Sequence, residues 1–320
     1  ALRYDSDYLP ALSNRATALV ELGDDEAALR DYDQAISLNP NFSVARFNRA
    51  FVWYERGNLD AALTDLNAAL SSDPRYAPAY NLRAMVRDDR EDHAGALADL
   101  DEAISLDPNG RPYRVNRGRI ALALDEFEKA HDDYSRLIEL EPENFDWWVR
   151  RSVAATRLGN CEDALVDADE AIRLNANSHE GFSVRAVANL VWGDYPAVKL
   201  DSEQALQFAP DDLLALRSLA LALVLIPDPT QRDGRRAVEL AQKSGDLFEW
   251  SNPDSFYVLA AAHAEARDFE KAVECQKKAI EMGPPAGREE EFANLLEQYE
   301  SGGTYAELVE RVERESQETP

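Results

Sequence analysis

The sequence predicts an all-α fold, a right-handed solenoid (superhelix) of stacked helical hairpins, and three observations predict it. Prolines at 40, 74, 108 and 142 are each separated by 34 residues, with Pro210 two periods further on and Ala176 at the intermediate place. Small residues return in fixed columns of that period. Apolar residues recur at helical spacing, as in Ala61, Leu63, Leu66, Ala69 and Leu70, and no segment shows the sustained two-residue alternation of strands. A two-helix unit cannot bury its apolar face without a stacked neighbour. Repetition therefore overrides the length prior of about two domains for 320 residues and predicts one continuous elongated core.

The columns are read by numbering each unit so that its proline is the thirty-second residue. The eighth residue is then Ala16, Ala50, Ala84, Gly118, Ser152, Ala186 and Ala220. The twentieth is Ala28, Ala62, Ala96, Ala130, Ala164 and Val198, and the twenty-seventh is Ala35, Ala69, Ala103, Leu137, Ala171 and Ala205. Small side chains at these offsets mark places where helices approach closely, because a bulky one would push the backbones apart.

These columns, followed by proline, resemble the fingerprint of the tetratricopeptide repeat (TPR) family. The resemblance covers units 9–42, 43–76, 77–110, 111–144, 145–178 and 179–212 without a gap. An irregular unit at 213–252 and an eighth at 253–286 follow, the latter with Ala260, Ala272, Ala279 and Pro284 in place. Glu91, Asp125 and Arg267 stand where Gly23, Gly57, Gly159 and Gly193 mark the turn, which predicts tighter or more strained turns there.

Residues 1–6 align with the end of a unit such as Ala35 to Pro40, so residues 1–8 read as the tail of a preceding repeat. With no initiating Met and no apolar leader, the chain is expected to be part of a longer or processed protein. Between Ala220 and Ala237 the seventh unit carries five residues more than the usual step between small columns, in a stretch with Pro227, Pro229 and Gly234, which predicts a long loop between two helices, the second capped by Asp233. This insertion and Asp246 to Pro253 resemble the penultimate repeat of large bacterial TPR proteins. Phe292, Leu295, Leu296 and Tyr299 form an apolar stripe on a closing helix within 287–320, and a last amphipathic helix is expected over 304–314 with a frayed tail.

Charged residues make up 30% of the chain and no long uncharged apolar run occurs, so no membrane span is expected. A net charge of −27 disfavours nucleic acid, because phosphate binding needs clustered Lys and Arg. The acidic faces serve chiefly to solvate a long rod. A cytoplasmic setting is favoured without being fixed.

Residue seven of each unit is Arg15, Arg49, Arg83, Arg117, Arg151 and Arg185, and residue twenty-three is Asp31, Asp65, Asp99, Asp133, Asp167 and Asp201. Both columns vanish together in unit eight, as Leu259 and Cys275. Joint presence and joint loss predict a ladder of ion pairs, within a unit or across adjacent ones; the competing reading is that these arginines bind ligand. Cys161 and Cys275 sit at different offsets, so no disulfide is expected. His93, His131, His179 and His263 are scattered singly, and neither a metal nor another cofactor is expected. There is no Gly-rich phosphate loop, no GxSxG elbow and no HExxH, and the chain reads as noncatalytic.

Function is then expected on the inner wall formed by the first helix of each unit. In TPR proteins that wall carries positions two, five, six, nine, twelve and thirteen. Position six gives Asn14, Asn48, Asn116 and Arg150, with Asn81 one place early, which resembles a partial asparagine ladder for the backbone of an extended peptide. Local capping is the other use open to these asparagines. Phe47, Phe51 and Tyr54 form a stripe beside them, either as exposed anchors or packed on neighbouring units. Arg119, Arg150 and Arg157 are candidates to receive a carboxylate. The Lys and Asn with which some TPR domains hold acidic chaperone tails are replaced by Ser13 and Thr17, Phe47 and Phe51, Asn81 and Met85, which disfavours that ligand. The sequence thus points to a protein interaction scaffold that binds a peptide or partner segment of undefined identity. An architectural spacer, a self-assembling rod and a regulatory arm of an enzyme are the alternatives.

Overall fold

The computed structural model describes residues 8–318, so the expected tail of a preceding repeat lies, apart from Tyr8, outside the described residues. Among the described residues there are eighteen α-helices, one 3-10 turn and no strand. They fall into two compact units, one ending at Leu140 and one beginning at Glu141.

The first unit holds α1 (Leu9–Glu21), α2 (Asp25–Leu38), α3 (Ser43–Glu55), α4 (Leu59–Ser72), α5 (Ala77–Asp88), α6 (His93–Leu106), α7 (Arg111–Ala123) and α8 (Phe127–Leu140). Each odd helix packs on the even helix that follows it and on the next odd helix, so α1, α3, α5 and α7 share one face. The second unit holds α9 (Phe145–Arg157), α10 (Cys161–Leu174), α11 (His179–Trp192), α12 (Tyr195–Phe208), α13 (Leu213–Leu225), α14 (Gly234–Leu247), α15 (Pro253–Glu265), α16 (Phe269–Glu281), α17 (Glu289–Glu300) and α18 (Tyr305–Glu318). There α9, α11, α13 and α15 pack in the same succession, while α18 turns back to touch α13 and α15 as well as α17.

Local chemistry sets these boundaries. Asp24, Asn58, Asp92, Asp194 and Asp268 each cap a second helix by accepting a hydrogen bond from the backbone N–H three residues on. Such a cap contributes about 1 kcal/mol. Helices α2, α4 and α6 end where the chain turns extended before the proline column, at Asn39, Asp73 and Asp107. Asn175, which precedes Ala176, takes nearly the same conformation, so the preference does not need proline once the stack is formed.

The turn between the two helices of a repeat contains a left-handed residue in every repeat except the irregular seventh. Gly57 has φ 71°, and Glu91, Asp125 and Arg267 adopt φ 63°, 59° and 63° in the same place. These three turns are thus not tighter than their neighbours. Glu91 repeats the backbone hydrogen bonds of Gly57, and the difference is a side chain held in a left-handed conformation.

The small columns are the close contacts. Ala16, Ala50, Ala84, Ser152, Ala186 and Ala220 are all fully buried, and the Ser152 hydroxyl is satisfied by the Ala164 carbonyl at 2.8 Å. A Cβ on Gly118 would stand 2.9 Å from the Tyr134 ring, which accounts for the glycine in that column. Leu66 and Leu100 fill the spaces between, each fully buried and each contributing about 1.5–3 kcal/mol.

Helix α13 stops at Leu225, a 3-10 turn spans Pro229–Gln231, and Asp233 caps α14 through the Arg236 N–H. Phe292, Leu295 and Tyr299 of α17 are buried. Cys161 and Cys275 are both free.

The arginine and aspartate columns pair within each repeat. Arg49 reaches Asp65 at 2.7 and 2.6 Å, Arg83 reaches Asp99 at 2.8 and 2.6 Å, and Arg185 reaches Asp201 at 2.9 and 2.6 Å. Arg15, Arg117 and Arg151 hold Asp31, Asp133 and Asp167 in the same way. Each aspartate is buried between the two helices of its hairpin. The arginines also reach back to the preceding repeat, Arg49 to Asp33, Arg83 to Asn67, Arg117 to Asp101 and Arg185 to Asp169.

Candidate functional site

The first-helix face of the first unit carries the residues expected there. Asn116 on α7 donates through Nδ2 to Asn81 Oδ1 on α5 at 2.8 Å, although the two sit at different positions of their repeats. Asn81 also lies over Met85, whose sulfur is 3.9 Å from its amide nitrogen. Asn14 is exposed and Asn48 half-buried, and neither has a side-chain hydrogen bond among the described residues. Two of the four asparagines thus engage each other and two do not.

The aromatic stripe divides. Phe47 is half-buried and meets the Tyr76 ring edge-on at 5.1 Å, so it serves packing. Phe51 keeps 42% of its surface exposed. Tyr54 is half-buried; burial and a hydrogen bond to Asp89 push its phenol up to about 12, so it stays a donor at any ordinary pH.

Arg119 is not a free cation. Its Nη2 contacts Asp88 at 2.6 Å, and the same carboxylate meets His93 Nδ1 at 2.8 Å. Burial alone would raise the Asp88 carboxyl, but the bonds from Arg119 and His93 outweigh it and hold the group below the usual range. A carboxylate ligand would have to compete with Asp88 for this arginine, which corrects the expectation that Arg119 stands ready to receive one. Arg150 and Arg157 lie exposed on α9 in the second unit, and Arg157 borders a small depression with Val153, Val184 and Leu214.

Sequence reasoning missed a cavity of about 380 Å³ in the second unit. Its walls come from inner-face positions of α11, α13 and α15 and from Tyr195 of α12, and Arg288, Glu291 and Tyr305 close it. The inner-face positions themselves were a usable signal. Three of the closing groups come from residues after 286, where the repeat register no longer applies.

Among the described residues no group of His, Cys, Asp and Glu has metal-site geometry, and no helix is long and apolar enough to cross a membrane.

Family models described as tetratricopeptide repeat match residues 10–42, 54–111, 115–179 and 253–284. Among solved structures, a tetratricopeptide repeat protein from Parabacteroides merdae is 20% identical with a TM-score of 0.63, over 80% of this chain and 98% of that one. YrrB, described as a TPR protein with an unusual peptide-binding site, is 19% identical with a TM-score of 0.55, over 58% of this chain and 96% of its own. Yeast Tom70 is 18% identical with a TM-score of 0.52, over 93% of this chain and 65% of its own. At these identities the likeness is one of fold. No curated protein matches.

Proposed function

Since the chain belongs to the tetratricopeptide repeat family, we propose that it is a noncatalytic scaffold whose first unit holds an extended peptide against α1, α3, α5 and α7. Its fold supports a role in protein–protein interaction. Peptide capture on this face is the finer reading, and one observation carries it: a row of amides with an exposed ring beside it. Asn14 and Asn48 present amides with no side-chain hydrogen bond among the described residues, Asn81 and Asn116 are fixed by their mutual bond, and Phe51 stands exposed on the same helix as Asn48. Side-chain amides match peptide N–H and C=O groups whatever the peptide sequence, and an exposed aromatic supplies an apolar anchor. The solved YrrB structure, described as having an unusual peptide-binding site, gives a precedent in the fold.

The test is affinity capture from a native lysate followed by mass spectrometry, with the chain and its Asn48→Ala, Phe51→Ala, Asn116→Ala variant side by side. All three positions are at least partly exposed, so helicity by circular dichroism should be unchanged. Partner capture is expected to disappear. A variant that retains its partners would move the site off this face.

A further inference from the structure

The cavity in the second unit is built differently from the amide row. Val187 and Leu190 of α11, Leu221 of α13 and Val258 of α15 give it apolar walls. Its charged lining consists of Arg217, Asp254, Arg288 and Glu291, two cations and two anions that sum to zero.

These charges are largely spent on one another. Arg288 grips Glu291 at 2.7 and 3.0 Å and reaches Asp254 at 3.1 Å, and its guanidinium lies 4.7 Å from the centre of the Tyr257 ring. Tyr257 Oη donates to Glu291 at 2.7 Å, and Tyr305 Oη lies 2.8 Å from Tyr257 Oη. Asp254 also accepts from Arg217 Nη2 at 2.9 Å. That is the one hydrogen bond of the Arg217 side chain among the described residues. Tyr305 starts α18, which is held over this end of the unit by Arg232 on Glu310 and by the buried Leu308.

An occupant bearing a charge would lose hydration without gaining a free counter-charge. An uncharged apolar group would meet the walls and leave the polar network intact, and Arg217 keeps donors for one carbonyl oxygen. The volume falls in the range of about 300–1,000 Å³ typical of ligand pockets. From this charge balance and wall chemistry we infer that the cavity is an anchor pocket for a bulky uncharged side chain of an extended peptide, aromatic or branched aliphatic, with the adjoining peptide carbonyl on Arg217. The inference rests on the peptide-scaffold reading but assigns a site in the second unit, closed by the α17 and α18 segments rather than by another repeat.

Three small probes test it without any partner protein: N-acetyl-L-phenylalaninamide, which is uncharged, N-acetyl-L-phenylalanine, a carboxylate, and L-phenylalaninamide, a cation. Methyl NMR of the full chain should show saturable shifts centred on Val187, Leu190 and Leu221 with the uncharged probe. Both charged probes should bind roughly tenfold more weakly. Leu221→Trp, which fills the cavity, should abolish the shifts, and Val191→Trp at the more exposed rim guards against a folding defect in the first variant. The Asn48→Ala, Phe51→Ala, Asn116→Ala variant should leave them unchanged. Absence of shifts at these methyls, equal affinity for a charged probe, or full binding by folded Val191→Trp would overturn the assignment. Because the probes do not depend on the amide row, failure there and failure here are separate results.

Discussion

Arg117 holds Asp133 from two nitrogens, at 2.8 and 2.7 Å, and the aspartate side chain is completely shielded from solvent while the arginine keeps 15% of its surface exposed. Arg114 adds a third contact at 3.0 Å. The carboxylate is therefore buried and fully dependent on guanidinium partners, which makes it the sharpest place to measure the ladder.

Asp133→Ala is expected to destabilise the protein by about 3 kcal/mol, because it strands buried guanidinium groups. The double variant Arg117→Leu with Asp133→Cys copies what the eighth repeat carries as Leu259 and Cys275, and should recover most of that loss. Asp31→Ala should cost less, since its partner Arg15 is 52% exposed. Urea unfolding of the single and double variants checks all three, and equal stability of Asp133→Ala and the parent would refute the buried role.

Glu91 occupies a left-handed turn at φ 63°, where Gly57 sits at φ 71°. Glu91→Gly should raise the melting temperature by the equivalent of up to about 1 kcal/mol, as relief of the Cβ contact exceeds the entropy that glycine loses. Gly57→Ala should lower stability by a similar amount. Paired thermal melts decide the sign of each.

Glu265 ends α15 with Oε2 buried and without a hydrogen bond among the described residues, and burial raises its carboxyl above the ordinary value. A folded value above the unfolded one means that stability is greatest below the unfolded value and declines as pH rises through the folded value. Glu265→Gln should therefore stabilise the protein at neutral pH, and the advantage should fade below about pH 4. Melting curves across that range test it; a constant difference would show that the charge is not the cause.

Glu291 behaves oppositely. Burial alone would raise it, but hydrogen bonds from Arg288 and Tyr257 prevail and hold it low. Its contribution is present above the unfolded value of about 4.3 and is lost as pH falls through the lower folded value. Amide exchange in α17 should accelerate below about pH 4, after correction for intrinsic rates, and Glu291→Gln should flatten that dependence.

The fold was legible because packing demands recur with the period. Ala50, Ala84 and Ala186 had to be small at one offset, and Arg83 and Asp99 had to occur together. The amide contact was half legible. Asn81 sits one place before the column, and only the placement of α5 against α7 brings it to Asn116. The cavity was less legible still: Tyr257 meets Tyr305 across 48 residues through a helix that leaves the repeat pattern, and no periodic argument predicts that return.

Each of Arg49 and Arg117 touches an acid in its own hairpin and another in the hairpin before it. Peeling the second hairpin off the first, or the fourth off the third, therefore breaks one of these ion pairs at the seam, whereas Arg83 of the third hairpin reaches back to the neutral Asn67. Fraying at those two seams carries an electrostatic toll, so mechanical or thermal opening there should grow easier as added salt quiets the charges.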